Sequence, residues 1–193
     1  MFTLHRLASL CLLLLVLVLP PVTVLAGDLE KGLTAYKAGK FEEAYKIWLP
    51  LGESGNADAQ FNLGLLYRKG QGIDKNDRAA LMWFIRAAKQ GMADAQYNAG
   101  VMYMEGRGAS VSRVDALKWW KLAVEKNHIG AQYNLGVMYA YGMATEKDVP
   151  YALSLWKQAA EAGHVEAKTT LYKTYSKGLF DQEVDIEEAK KWQ

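Results

Sequence analysis

Five aromatic residues stand 36 positions apart in this chain: Trp48, Phe84, Trp120, Trp156 and Trp192. The same interval separates Ala59, Ala95, Ala131 and Ala167, then Tyr67, Tyr103, Tyr139 and Tyr175, then Gly70, Gly106, Gly142 and Gly178. Independent positions that share one period without slippage mark an internal repeat. A period of roughly 20–50 residues means a stack of units, each burying its apolar face only against its neighbours. Such a chain is a surface before it is a catalyst.

One unit can be read in full between Asn56 and Met92. Ala59, Leu63, Leu66 and Tyr67 recur at spacings of three and four and share a helical stripe. Asp58 suits the first turn of that helix, where a negative charge favours the dipole. Gly70 follows the last periodic residue and can supply a left-handed cap. These signals predict a first helix, A, over residues 57–69. A second helix, B, starts after Asn76, whose counterparts Ser112 and Asp148 are also N-cap residues. Pro150 lies just inside the third of these B helices, where its missing N–H costs little. Ala80, Phe84, Ala87 and Ala88 form the B stripe. It ends at Gly91, matched by Gly55, Asn127 and Gly163, and Asn is the usual substitute for Gly at a left-handed position. Gly64, Gly100 and Gly136 fall in mid-helix A, where glycine costs about 1 kcal/mol relative to alanine. Close approach of a neighbouring helix would offset that cost, with the aromatic ladder filling the core.

The ends depart from the pattern. Asp28 to Gly55 reads as a helix pair with a shortened A–B loop, its charged first helix suited to an N-terminal cap. The last unit, from Val165, reaches Trp192 and stops at Gln193, so that end of the stack is short or frayed. Before all of this, Met1 to Ala26 is a different material. Arg6 gives a positive start, Leu7 to Leu19 is apolar, Pro20 and Pro21 break any helix, and Val24-Leu25-Ala26 offers small residues to a signal peptidase. The expected organisation is a signal peptide over 1–26 and a repeat domain over 27–193, in units of about 28–56, 57–92, 93–128, 129–164 and 165–193. An uncleaved N-terminal membrane anchor is the alternative, because Leu7 to Ala26 is nominally long enough to span a bilayer.

The single cysteine, Cys11, lies inside this leader and lacks a lipobox. A cleaved chain has no disulfide and no thiolate chemistry, which fits a periplasmic or secreted protein. The leader carries Arg6 and no acid, so cleavage lowers the net charge from +2 to +1. That balance supplies no electrostatic pull toward nucleic acid or an anionic membrane. No stable membrane insertion is expected once the leader is removed.

The segment Ala59-Gln60-Phe61-Asn62-Leu63-Gly64-Leu65-Leu66-Tyr67-Arg68-Lys69-Gly70 resembles the first helix of the Sel-one-like repeat, a relative of the tetratricopeptide repeat. It recurs from Ala95 to Gly106, with Ala99 in place of Leu, and from Ala131 to Gly142. In the copy from Ala167 to Gly178, Tyr172 replaces the mid-helix glycine. The family's second motif reads from Ala80 to Gly91 and from Ala152 to Gly163. The likeness is strong over 57–164 and weaker on either side. It implies an all-α, right-handed α-solenoid superhelix of antiparallel helix pairs. It also implies an adaptor or scaffold role, often in bacterial envelope processes or host interaction, and no single ligand.

Chemical readings fare less well. Ser154-Leu155-Trp156-Lys157 matches the S-x-x-K of penicillin-binding enzymes, but the companion motifs are absent and Lys157 repeats Lys121 on a polar helix edge. His128 and His164 begin successive A helices, which at roughly 8–10 Å spacing are too far apart to share zinc easily; a loop or capping role is expected. The Gly70-Gln71-Gly72 and Gly106-Arg107-Gly108 pairs follow helices rather than strands, so helix termination explains them. No catalytic, cofactor-binding or metal-binding residues are assigned. The other face of helix A is more promising. At about 100° per residue, Phe61 and Leu65 point away from the core stripe, as do Tyr97 and Val101, then Tyr133 and Val137. Asn62, Asn98 and Asn134 flank them. In tetratricopeptide-like superhelices this side of helix A lines the concave groove. Rings could supply contact area and amides could pair with peptide backbone. Equally, the row could pack between repeats, with Asn capping or bridging backbone; both readings stay open.

The sequence thus predicts an exported, non-catalytic scaffold that binds a protein or peptide partner in the groove. The alternatives are an envelope enzyme, such as a peptidoglycan or β-lactam hydrolase, and a structural spacer. Oligomeric state is not legible. The first expected outcome concerns export: the mature chain starts at Gly27 and is soluble, which mass spectrometry of the exported protein will show. Retention of Met1 to Ala26 in a membrane fraction would refute it.

Overall fold

The computed structural model describes residues 22–193. Ten α-helices follow one another: α1 (Val22–Lys37), α2 (Phe41–Glu53), α3 (Ala57–Lys69), α4 (Asp77–Lys89), α5 (Ala93–Glu105), α6 (Arg113–Glu125), α7 (Ile129–Tyr141), α8 (Val149–Glu161), α9 (Val165–Lys177) and α10 (Ile186–Lys190), with a 3-10 turn at Leu179–Asp181. Close packing runs from each helix to the next in sequence, the pattern of a solenoid. The odd-numbered helices are the A helices and the even-numbered ones the B helices. Residues 1–21, most of the expected leader, lie outside the described residues. Among those described, no helix is long and apolar enough to cross a membrane.

Local chemistry sets the helix limits where the sequence placed them. Asn56, Asn76, Ser112 and Asp148 each accept a hydrogen bond from the backbone N–H three residues on, which satisfies one orphan donor of the first turn. Gly70, Gly106, Gly142 and Gly178 close the A helices in the left-handed conformation, with φ of 65–69°. Asn127 takes φ 57° two residues past the end of α6, matching Gly91 and Gly163 after α4 and α8.

In the first four units, a B-helix ring packs closely against a glycine of its A helix. A Cβ placed on Gly64 would come within 2.6 Å of Phe84 Cε1, and one on Gly136 within 2.5 Å of Trp156 Nε1. Gly32 and Gly100 bring Trp48 and Trp120 as close. These rings are at most 3% exposed. The indole N–H groups are not stranded: Trp120 donates to Tyr97 O at 3.2 Å and Trp156 to Tyr133 O at 3.1 Å. In the first unit Gly32 precedes its ring by four fewer residues than in the others, yet the contact persists, because the shortened loop removes chain without moving the helices' crossing point.

A second ladder, Trp83, Trp119 and Leu155, is also buried and faces the preceding unit: Trp83 packs with Ala44, Trp48 and Leu63, and Trp119 with Ala88 and Ala95. Buried Gln60 and Gln96 donate to Gly52 O and Ala88 O, carbonyls in the last turn of the preceding B helix, where no intrahelical donor remains.

The fifth aromatic rung is out of phase. The N-cap of α10 is Asp185, which is 37 rather than 36 residues after Asp148, because the 3-10 turn takes up one extra residue. Ala189, not the position 36 residues after Ala152, is therefore the buried alanine, and Trp192 remains half-buried. The outer side of α9 carries Lys168, Thr169, Tyr172 and Lys173, all exposed, so this end of the stack is solvated. Trp120→Ala, in mid-stack, should cost about 3–5 kcal/mol, and Trp192→Ala well under half of that; chemical denaturation of both variants checks the difference, and equal losses would contradict it.

Candidate partner-binding face

The nine residues expected on the helix-A face are all half-buried, and the structure divides them by repeat. Phe61 and Leu65 pack against the core around Ala80, Phe84 and Ala95. Phe61 meets Phe84 at 5.7 Å between centroids. Tyr97 stacks on His128 at 4.4 Å, and Tyr133 on His164 at 4.8 Å, so each tyrosine ring bridges to the start of the next A helix. Tyr97 also lies over Gly130, where a Cβ would sit 3.1 Å from the ring. The tyrosines are inter-repeat wedges with only part of each ring facing solvent, so their truncation loosens the stack as well as the face.

The asparagines differ from one another. Asn98 accepts from Arg68 Nη1 and donates to Asp94 O at 2.7 Å, which uses its amide within the fold. Asn62 and Asn134 make no side-chain hydrogen bond within the described residues. Asn134, Val101 and Val137 come together around a cleft of about 410 Å³ between α5 and α7. Trp120 forms its floor, Met104 and Met143 extend its apolar wall, and Glu105 and Arg113 stand at its rim. The glutamate leans toward Arg107 at 3.5 Å, whereas Arg113 has no ion-pair partner among the described residues. The methionines were not anticipated, since neither recurs at the repeat interval.

The equivalent space between α3 and α5 is bridged by an arginine side chain. Arg68 stands where the cleft has Met104, and Arg107 where it has Met143. Arg68 reaches Asn98 and lies 5.7 Å over the Phe84 ring. Arg107 holds Asp77 through two hydrogen bonds, of 2.9 and 3.3 Å, and these keep the Asp77 carboxyl below the usual carboxylate range. A larger hollow of about 590 Å³ beside Gly39, Phe41 and Gly72 contains none of the nine residues. Its charges are already paired, Lys46 with Glu42 and Lys40 with Glu43.

The remaining candidates take structural roles. Ser154 Oγ donates to Tyr151 O, and Lys157 pairs with Glu188 at 3.2 Å, so the two do not address one another. Among the described residues no group of three or more His, Cys, Asp or Glu is placed to hold a metal ion. His128 and His164 are N-caps: their Nδ1 atoms accept the N–H of Ala131 at 3.1 Å and of Ala167 at 3.3 Å.

This arrangement of stacked helix pairs with an open cleft on the A side defines a tetratricopeptide-like repeat protein, and comparison with known proteins narrows the class. The Sel1 repeat profile matches residues 57–92, 93–128, 129–164 and 173–192. The chain belongs to the Sel1 repeat family. It is similar to the crystal structure of a Sel1 repeat protein from Oxalobacter formigenes, with 35% identity and a TM-score of 0.78 over 85% of this chain and 67% of that one. It is also similar to a protective antigen present in uropathogenic Escherichia coli strains, which displays an SLR fold, at 25% identity and a TM-score of 0.81. That match covers 87% of this chain and 37% of the antigen, so the chain spans little more than a third of it. No curated protein matches the chain. Sel1 repeat proteins serve as protein–protein interaction scaffolds.

The His128 cap carries a pH dependence. Burial pushes the imidazole below its ordinary value, against the opposing pull of Asp94, whose carboxylate lies 3.3 Å from Nε2. A protonated Nδ1 could not accept from Ala131. The unfolded chain takes up this proton near pH 6.5 and the folded chain only at lower pH. The cap's stabilisation is therefore complete above that value and declines as pH falls below it. The melting temperature should drop between pH 7.5 and pH 5.5, and His128→Asn, which caps without titrating, should reduce the drop. Thermal denaturation of both proteins at the two pH values is the check; identical pH dependence would remove His128 as the cause.

Proposed function

We propose that the protein is an exported, non-catalytic scaffold that holds a protein or peptide partner along its A-helix face, with the α5–α7 cleft as the central contact. The observation that carries this reading is the cleft itself. It is apolar on floor and walls, has at Asn134 an amide and at Arg113 a cation that are both unpartnered among the described residues, and lies in mid-stack with repeats on both sides. A concave, mostly apolar site with a few polar groups is what recognition requires. The scaffold role of the family supports it, and the protective-antigen relative places an SLR fold in a bacterial protein. Export rests on the leader-like segment 1–26 and on the confinement of the only cysteine to it. The binding residues are Phe61, Asn62, Leu65, Tyr97, Asn98, Val101, Tyr133, Asn134 and Val137. Within this set Val101, Asn134 and Val137 make the direct contact, while Tyr97 and Tyr133 shape the face.

A photo-crosslinking amino acid at Val137 should trap the partner in the producing cell, and one at Met82, which is 46% exposed on α4, should not. Val137→Glu should weaken binding of the trapped partner tenfold or more, about 1.4 kcal/mol, with circular dichroism unchanged. Trapping from Met82 and not from Val137 would place the function on the B side.

A further inference from the structure

The same loop position is left-handed in two successive repeats and carries different residues. Ala144, after α7, has φ 57°, and Phe180, 36 residues later, has φ 57° as well. In the last repeat the Phe180 ring turns inward and packs on Trp156 at 5.5 Å and on Tyr141 at 5.3 Å between centroids. One repeat earlier the counterparts of those two residues are Trp120 and Glu105, and both line the α5–α7 cleft. Phe180 therefore occupies in its own repeat the space that the methyl group of Ala144 leaves open in the preceding one. The cleft is a ring site whose ring is missing.

The geometry points to a specific occupant: an extended peptide segment of a partner protein that presents an aromatic side chain next to a carboxylate. This specifies the ligand of the site proposed above and rests on that reading. The ring would lie on Trp120 between Met104 and Met143. Thioether–aromatic contacts stabilise such a seat and adapt to more than one ring type. The carboxylate follows from the charges. Arg113 stands at the rim without an ion-pair partner among the described residues. The chain already shows the combination once, because Asp181 follows Phe180 and meets Lys147 Nζ at 3.1 Å. Asn134, with its amide free, is placed to pair with the backbone of the bound segment. A second copy of this chain offering its own 179–181 turn is disfavoured, since Phe180 is already held by Trp156 and Tyr141.

The test uses the blocked peptide Gly-Leu-Phe-Asp-Gln, copied from residues 178–182, with versions in which Ala replaces Phe or Lys replaces Asp. Binding to the full mature protein is read from methionine methyl resonances. The parent peptide should shift the Met104 and Met143 signals, the Ala version should bind at least tenfold more weakly, and the Lys version several-fold more weakly. Arg113→Gln should erase the difference between Asp and Lys. Ala144→Phe supplies the missing ring in a backbone conformation that phenylalanine already adopts at 180. It should raise the melting temperature and abolish the shifts. Met143→Arg, which copies Arg107, is a second way to close the cleft. The proposal is overturned if Met104 and Met143 do not respond to the parent peptide, if the Ala version binds equally well, or if both cleft-closing variants bind undiminished. A concentration-dependent dimer lost in Ala144→Phe would overturn it in favour of a second copy. Failure here with continued trapping from Val137 would leave the A-face reading standing; failure of both would remove that reading too.

Discussion

The contact between a B-helix ring and an A-helix glycine is the constraint on which the rest of the stack depends. It lets two helices cross with an indole or phenyl ring as the only spacer, and it fixes where along each helix the crossing falls. A methyl group in place of the glycine hydrogen would meet ring atoms at 2.6 Å or less in the pairs Gly64–Phe84 and Gly136–Trp156. The helix accepts a glycine in its interior, a local loss of about 1 kcal/mol, because the ring it admits is nearly wholly removed from water. Where the A–B loop shortens in the first unit, the glycine moves with it. Where the glycine is replaced by Tyr172, the ring in phase is gone as well, and Trp192 lies half-buried.

With that crossing fixed, each repeat offers the same backbone to the same neighbours, and individuality is confined to side chains that the crossing does not use. The spaces between successive A helices show this most clearly. Arg68 and Arg107, bonded to Asn98 and Asp77, line the first. Between α5 and α7 the corresponding residues are methionines and the space is open. Phe180 fills the third. Three repeats of one architecture thus present a salt-bridged surface, a cleft and a filled site, in that order. A scaffold gains selectivity in this way without altering its fold, since a residue outside the ring–glycine contact changes a surface and not a crossing angle.

The wedges between repeats couple face and stack. Tyr97 and Tyr133 stand on the A side, but their stacking on His128 and His164 ties them to the caps of the next helices. The cap hydrogen bond at His128 needs a neutral Nδ1, so the imidazole that supports Tyr97 also makes the face responsive to acidity. A partner that leans on these rings would add to the packing between units, a natural way for binding to stiffen a repeat array.

Apart from the buried second ladder of Trp83, Trp119 and Leu155, the 36-residue period, the cap residues and the glycines at left-handed positions specified the helices, their order and their core. These depend on short-range chemistry that the sequence states directly: an Asn that can reach a backbone N–H three residues on, a Gly where φ is positive, an apolar stripe at helical spacing. The A-face row was legible as a row, and Val101, Asn134 and Val137 do meet. Their surroundings were not legible. Met104 and Met143 break the period, so no repeat argument could find them, and whether Asn98 or Asn134 keeps its amide free depends on an arginine 30 residues away from the former. Nor could the sequence show that the last loop spends one extra residue on a 3-10 turn, which shifts Trp192 out of phase and turns Phe180 inward. Periodicity determines what every repeat has in common. What distinguishes one repeat from the next is set by side chains meeting across the stack, and only the tertiary structure brings those together.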